Sequence, residues 1–167
     1  MRILGLDPGI ATVGYGTIDI AEREPVVGDF GIVQTSSKTE FSQRLMAIYE
    51  DMSSLLVTFK PDLIAIEKLF FYRMGNIIGV AQARGVILLC AAQKEIPYVE
   101  FSPPQIKQVL TGNGRADKKD VQLAVQRELS LECLPKPDDA ADALAIALTA
   151  WRMRVPALVH REEASKV

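Results

Sequence analysis

Three short strand-like segments crowd the first 35 residues, and helical spacing appears only after them. Ile3, Leu4 and Leu6 form an apolar run that Pro8 and Gly9 stop. "TVGYGTIDI" and "PVVGDFGIVQT" follow as strands, with Gly28 and Gly31 marking bulges or close approaches. Connections this short allow only antiparallel neighbours, because a parallel pair needs a crossover of roughly a dozen residues or more. The chain therefore opens with an antiparallel meander. From about Glu40 to Phe59 the apolar positions Phe41, Leu45, Ile48, Met52, Leu55 and Leu56 recur at helical spacing, and Pro61 ends the helix. "DLIAIEKLF" then reads as a buried strand, "NIIGVAQARGVILLCAAQ" as a long apolar helix and "IPYVEF" as a further strand. Pro103 and Pro104 open a short helix through Leu110, "TGNGRADKKD" reads as a loop, and Val121 to Leu129 continues as helix. A last helix runs from about Asp138 to Arg152. Residues 156–167 are expected to form a flexible tail beyond a single domain of residues 1–155. The order predicts an α/β fold with a mixed five-stranded sheet, three antiparallel strands and then parallel ones, flanked by helices.

With 49% apolar residues in 167, such a domain can bury a substantial core. Cys90 and Cys133 lack any CxxC spacing and read as core thiols in helical surroundings. The lone His160 falls in the polar tail, which removes histidine-based triads and histidine metal sites. What remains is carboxylate chemistry or none. The strand begins at once, with no signal-peptide pattern, and the apolar stretch Ile77–Ala92 is broken by Gln82 and Arg84. A soluble, cytoplasmic protein without a membrane partner is expected. The net charge of -2 hides a partition, since Lys68–Lys119 carries eight Lys or Arg against Glu95, Glu100 and Asp117. A basic middle of this kind can meet a polyanion, although solvated helix faces give similar counts. The helix after Asn76 is apolar nearly all round. A second copy is the economical cover, with Gly79, Ala83 and Gly85 permitting close approach in a homodimer, and other helices of the same chain are the alternative.

Acids stand at unusual places in this pattern. Asp7 ends the first strand at "LGLDPG", and Glu67 ends a buried one at "LIAIEK". An Asp before Pro-Gly also serves as a simple turn acceptor. A charge at the end of a buried strand, however, is costly unless paired or metal-bound. If the two strands are parallel, both acids share one sheet edge, where ligands collect in open sheets. Asp139 and Asp142 are three apart on the last helix and share a face, among alanines that allow close approach to a sheet. Asp138 suits the N-cap or first turn. Converging carboxylates repel, and divalent ions relieve the repulsion. An all-oxygen donor set favours magnesium or manganese, and two ions about 3.5–4 Å apart can activate water and stabilise a leaving oxygen in phosphodiester hydrolysis.

Acids on the first and fourth strands and on the final helix resemble the ribonuclease H-like superfamily. "ILGLDPGIATVGYG", "IAIEKLFF", "AQARGV", "PPQIKQVLTGNGRADKKDVQ" and "DDAADALAIA" are similar, in order, to segments of the RuvC-type Holliday junction resolvases. That resemblance implies a metal-dependent endodeoxyribonuclease that resolves four-way junction DNA by symmetric paired nicks, with two Mg2+ ions, or Mn2+ as substitute. It implies Asp7, Glu67, Asp139 and Asp142 as catalytic metal ligands; the doubled acid keeps Asp138 in view, while the "DAADAL" spacing favours Asp139. It implies Phe70 as the aromatic that enters the junction, with Phe71 and Tyr72 as rivals, and Lys107 and Lys118 beside the scissile phosphate. Charge alone adds Arg73, Arg84, Arg115 and Lys119 as backbone contacts. A homodimer and RuvA and RuvB partners are implied as well. Another ribonuclease H-like nuclease, or a junction-binding module without chemistry, are the competing readings. A sugar kinase of the actin type needs a second related domain, and "TGNGRADKKD" lacks the GxxxxGK[ST] spacing of a phosphate-binding loop.

Overall fold

The computed structural model describes residues 1–22, 24–69 and 77–155. Five strands form one sheet: β1 (Arg2–Asp7), β2 (Thr12–Ala21), β3 (Glu24–Gln34), β4 (Leu63–Glu67) and β5 (Tyr98–Phe101). Their spatial order is β3-β2-β1-β4-β5. The first three strands pair antiparallel, whereas β4 lies parallel to β1 and β5 parallel to β4. The helices are α1 (Phe41–Phe59), α2 (Ile77–Gln93), α3 (Pro103–Thr111), α4 (Lys118–Glu128) and α5 (Asp138–Arg152). The expected mixed α/β sheet is present, and the candidates Phe70, Phe71, Tyr72 and Arg73, with the tail 156–167, lie outside the described residues.

Alternation along the strands sorts side chains onto two faces. Ile3, Leu63, Ala65 and Phe101 join the core built with α3, α4 and α5. Leu4, Leu6, Ile64 and Ile66 join the core built with α1 and α2. By the same period, Asp7 and Glu67 face the α5 side. Leu6 pairs with Ile66 in the parallel ladder, so the next residues on each strand stand side by side at its carboxyl end.

The α5 side is unusually close-packed. Gly5, Gly14 and Gly16 clear a trough across β1 and β2, and the small residues Ala140, Ala143 and Ala147 are fully buried in it. A Cβ on Gly5 would overlap the Ala143 carbonyl oxygen, and one on Gly14 would overlap that of Asp139. Helix backbone thus lies directly on strand backbone at the sheet edge that carries Asp7. Gly28 and Gly31 are also close approaches, against Thr17 Oγ1 at 2.5 Å and Tyr15 Oη at 2.8 Å from where a Cβ would sit. The ladder between β2 and β3 shifts register at this point, where the Thr17 hydroxyl donates to the Asp29 carbonyl and accepts from its amide.

Four expectations need correction. The "TGNGRADKKD" loop ends at Asp117, because Asp117 and Asp120 form a reciprocal capping box and make Lys118 the first residue of α4. The β4 strand stops at Glu67 instead of running on through "KLF". On α2, Gly79 and Ala83 turn inward to the chain's own core, and the outer face carries Gly85 with Ile78 and Leu89, which are 74% and 53% exposed. Cys90 is a core thiol, but Cys133 is exposed in the non-helical segment before α5. Among the described residues no helix is long and apolar enough to cross a membrane.

Candidate active site

An open cavity of about 890 Å³ lies at the carboxyl ends of β1 and β4, and Asp7, Glu67, Asp139, Asp142, Lys107 and Lys118 line it. Each arrives by a separate local cause. Asp7 is stopped by the Pro8-Gly9 turn; Glu67 is the last residue of its strand; Asp139 and Asp142 lie one turn apart on α5. Lys107 comes from α3, whose start is set by a Ser102 and Gln105 capping box with Pro103 and Pro104 in its first turn. Lys118 comes from the first residue of α4.

The electrostatics of this wall are those of crowded acids. Burial, and then the charges of Glu67, Asp142 and Asp139, push the Asp7 carboxyl up to about 8, against a partial relief from Lys118. Burial also raises Asp142, opposed by the Lys118 ammonium, whose Nζ lies 2.9 Å from Asp142 Oδ2. Burial works against the charge on Lys118, but Asp142 and Asp138 outweigh it and hold the ammonium above its ordinary pKa. Asp138 behaves in the opposite way. It sits in the first turn of α5 with Pro137 at the N-cap, its side chain 61% exposed, and its carboxyl is lowered by a hydrogen bond from Gln122 and by Lys118. The cavity wall therefore includes Asp139 and not Asp138.

Four carboxylates without imidazole or thiolate make a donor set suited to hard divalent cations. A divalent cation would favour the ionised form of Asp7, which burial first and the neighbouring acids second disfavour. Among the described residues no three His, Cys, Asp or Glu side chains close into a tight ligand cluster; the acids line an open wall on which Lys118 occupies part of Asp142.

The other basic candidates divide. Arg115 and Lys119 are exposed and do not line the cavity. Arg84 is not a surface cation: its side chain is 15% exposed and paired with Glu100 between α2 and β5, so the charge count misplaced it. Lys68 also lines the cavity and was passed over, although its position directly after the strand-ending Glu67 was the available signal.

The family model described as crossover junction endodeoxyribonuclease RuvC matches residues 3–150. A relative from Gloeobacter violaceus, named crossover junction endodeoxyribonuclease RuvC, is 69% identical over 157 residues, covering 93% of this chain and 91% of its own. The Thermus thermophilus RuvC structure superposes with a TM-score of 0.86 at 34% identity, covering 93% of this chain and 97% of that one. The T. thermophilus RuvC in complex with Holliday junction substrate gives 0.83 at 32% identity, covering 93% and 96%.

Proposed function

The chain belongs to the RuvC family of crossover junction endodeoxyribonucleases, a family of metal-dependent nucleases, and from that premise we propose that it resolves four-way DNA junctions by paired symmetric nicks. One observation carries the assignment of the chemistry: acids from two adjacent parallel strands and from the helix laid across them line one cavity. Asp7, Glu67, Asp139 and Asp142 are the metal ligands. Two magnesium ions, with manganese as substitute, supply water activation and leaving-oxygen stabilisation when bound there.

The chain's own groups do the rest. Lys107 and Lys118 bring positive charge to the cavity from two helices and orient a phosphodiester against the acids. Arg115 and Lys119 extend the basic surface toward neighbouring phosphates, a contribution that weakens with salt. Phe70 and Arg73, on the segment after Glu67, contact the opened junction, where stacking of a base on an aromatic ring is worth roughly 1–3 kcal/mol. Two copies joined through the outer face of α2, with Ile78 and Leu89 exposed, give two sites related by a two-fold axis. Such symmetry matches a junction in which two strands of like polarity are cut. The protein works in the cytoplasm with RuvA and RuvB branch-migration partners.

The test uses purified protein with a mobile four-way junction, linear duplex and RNA:DNA hybrid, each with magnesium or chelator. Paired nicks on the junction alone, lost with chelator and in Asp7→Asn, are expected. Hybrid cleavage would assign a ribonuclease instead, and tight junction binding without cutting under any divalent ion would assign a binding module.

A further inference from the structure

Two acids of α5, one turn apart, share the ammonium at the start of α4. Lys118 Nζ lies 2.9 Å from Asp142 Oδ2 and 3.4 Å from Asp138 Oδ2, so one cation bridges an acid of the cavity wall and an acid outside it. The outer acid is itself held. Gln122 Nε2 donates to Asp138 Oδ1 at 3.1 Å, which leaves Oδ2 turned to Lys118. Lys118 and Gln122 are four apart on α4, so a single helix face supplies both contacts.

This arrangement meets a conflict in the proposed metal site. Lys118 Nζ lies on Asp142 Oδ2, so a divalent ion on the same carboxylate would bring a second cation close to the ammonium, and the repulsion favours moving Lys118 away. Metal loading therefore weakens the hold of Asp142 on Lys118. Without a second acceptor the ammonium would leave toward solvent, losing its partner and its place near the phosphate. Asp138 is already within ion-pair distance of it.

We infer that Asp138 is a positioning residue that takes over the Lys118 ammonium when Asp142 engages a divalent ion, easing metal entry while keeping Lys118 at the cavity rim. This rests on the reading of Asp142 as a metal ligand. Gln122 serves the same end by fixing the Asp138 carboxylate. The resulting function is a two-position lysine: on Asp142 it neutralises the empty wall, and on Asp138 it faces the substrate.

The experiment is a calorimetric Mn2+ titration of the full chain without DNA. Wild type, Asp138→Ala, Lys118→Met and the double variant are compared, with thermal melting as a control for folding. Asp138→Ala is expected to weaken Mn2+ binding about two- to fivefold, the scale of one solvent-exposed ion pair. In the Lys118→Met background the same change should have no effect, because no ammonium remains to be transferred. Asp138→Glu should restore wild-type affinity, and Asp138→Asn, which keeps the side-chain shape, should behave as Asp138→Ala does. Equal weakening in both backgrounds would overturn the inference, since it would mean that Asp138 acts only through its charge. Unchanged affinity in Asp138→Ala would overturn it as well. If wild type binds no Mn2+, or Asp7→Asn binds it equally well, the metal-site reading itself fails and the inference falls with it.

Discussion

The two faces of the sheet are built on opposite plans. Beneath α1 and α2 the strands present Leu4, Leu6, Ile64 and Ile66, and bulky side chains such as Ile48, Met52 and Ile87 fill the space between layers. Beneath α5 the middle of the sheet presents Gly5, Gly14 and Gly16, and an alanine-rich helix settles almost onto the backbone. The first plan maximises buried apolar volume. The second gives up volume for proximity, and proximity is what brings Asp139 and Asp142 to the edge where β1 and β4 end in acids. Strand parity thus sends the odd-numbered positions of β1 and β4 to the α5 side, where Ile3 and Leu63 build core and Asp7 and Glu67, at the carboxyl ends, line the cavity.

The largest effect that can break this contrast is Gly5→Ala. Its Cβ meets helix backbone, which cannot swing aside, and a loss of about 3 kcal/mol or more is expected in chemical denaturation. Ile87→Ala on the other face should cost roughly 2–5 kcal/mol through lost burial and cavity formation, while leaving junction cleavage per folded molecule intact. A loss of cleavage in folded Ile87→Ala would erase the division between the faces.

The acids sharpen the contrast through pH. The Asp7 carboxyl stands at about 8 in the folded chain against 3.8 ordinarily, so between those values the folded state holds a proton that the unfolded state has released. Its contribution to stability is then greatest at low pH and is lost as pH rises through about 8. In metal-free buffer the melting temperature of wild type should fall, relative to Asp7→Asn, between pH 5 and pH 8, and divalent ion should reverse the difference. Parallel pH curves for the two proteins would contradict the crowding of acids under α5.

Smaller effects probe the outer face of α2. A Cβ on Gly85 meets nothing within 4 Å, so Gly85→Ala should stabilise the monomer by about 0.5–1 kcal/mol, opposite in sign to Gly5→Ala. Leu89→Glu should change the stability of the single chain by less than about 0.5 kcal/mol, and the proposed pairing through α2 predicts that it shifts sedimentation toward a single copy.

Much of this was legible in the chain because alternation and helical spacing carry phase. The run "LGLD" and the run "LIAIE" each place an acid in step with residues of one face, and the three-residue spacing of Asp139 and Asp142 puts them on one side of α5. Phase failed where composition was uniform. On α2 an apolar residue occupies nearly every position, so nothing in the pattern told that Gly79 and Ala83 turn inward while Gly85 faces out. Arg84 was misread for a related reason: charge counts ignore that Glu100, on β5, supplies a partner distant in sequence. The start of α4 was readable from Asp117 and Asp120 but was hidden by the glycines before it. The doubled acid at 138 and 139 was separable only in part, because two adjacent residues on a helix differ by direction, and direction is fixed by how α5 seats on Gly5, Gly14 and Gly16.

The most direct test of the central claim follows from that pair of neighbours. Cleavage of a mobile four-way junction is measured at saturating magnesium for wild type, Asp139→Asn and Asp138→Asn. With Asp139 in the cavity wall and Asp138 outside it, Asp139→Asn should lose roughly a hundredfold or more in rate, as expected for a group holding the catalytic ion, and Asp138→Asn should stay within about tenfold. Loss of cleavage in Asp138→Asn with activity retained in Asp139→Asn would contradict the site described under α5.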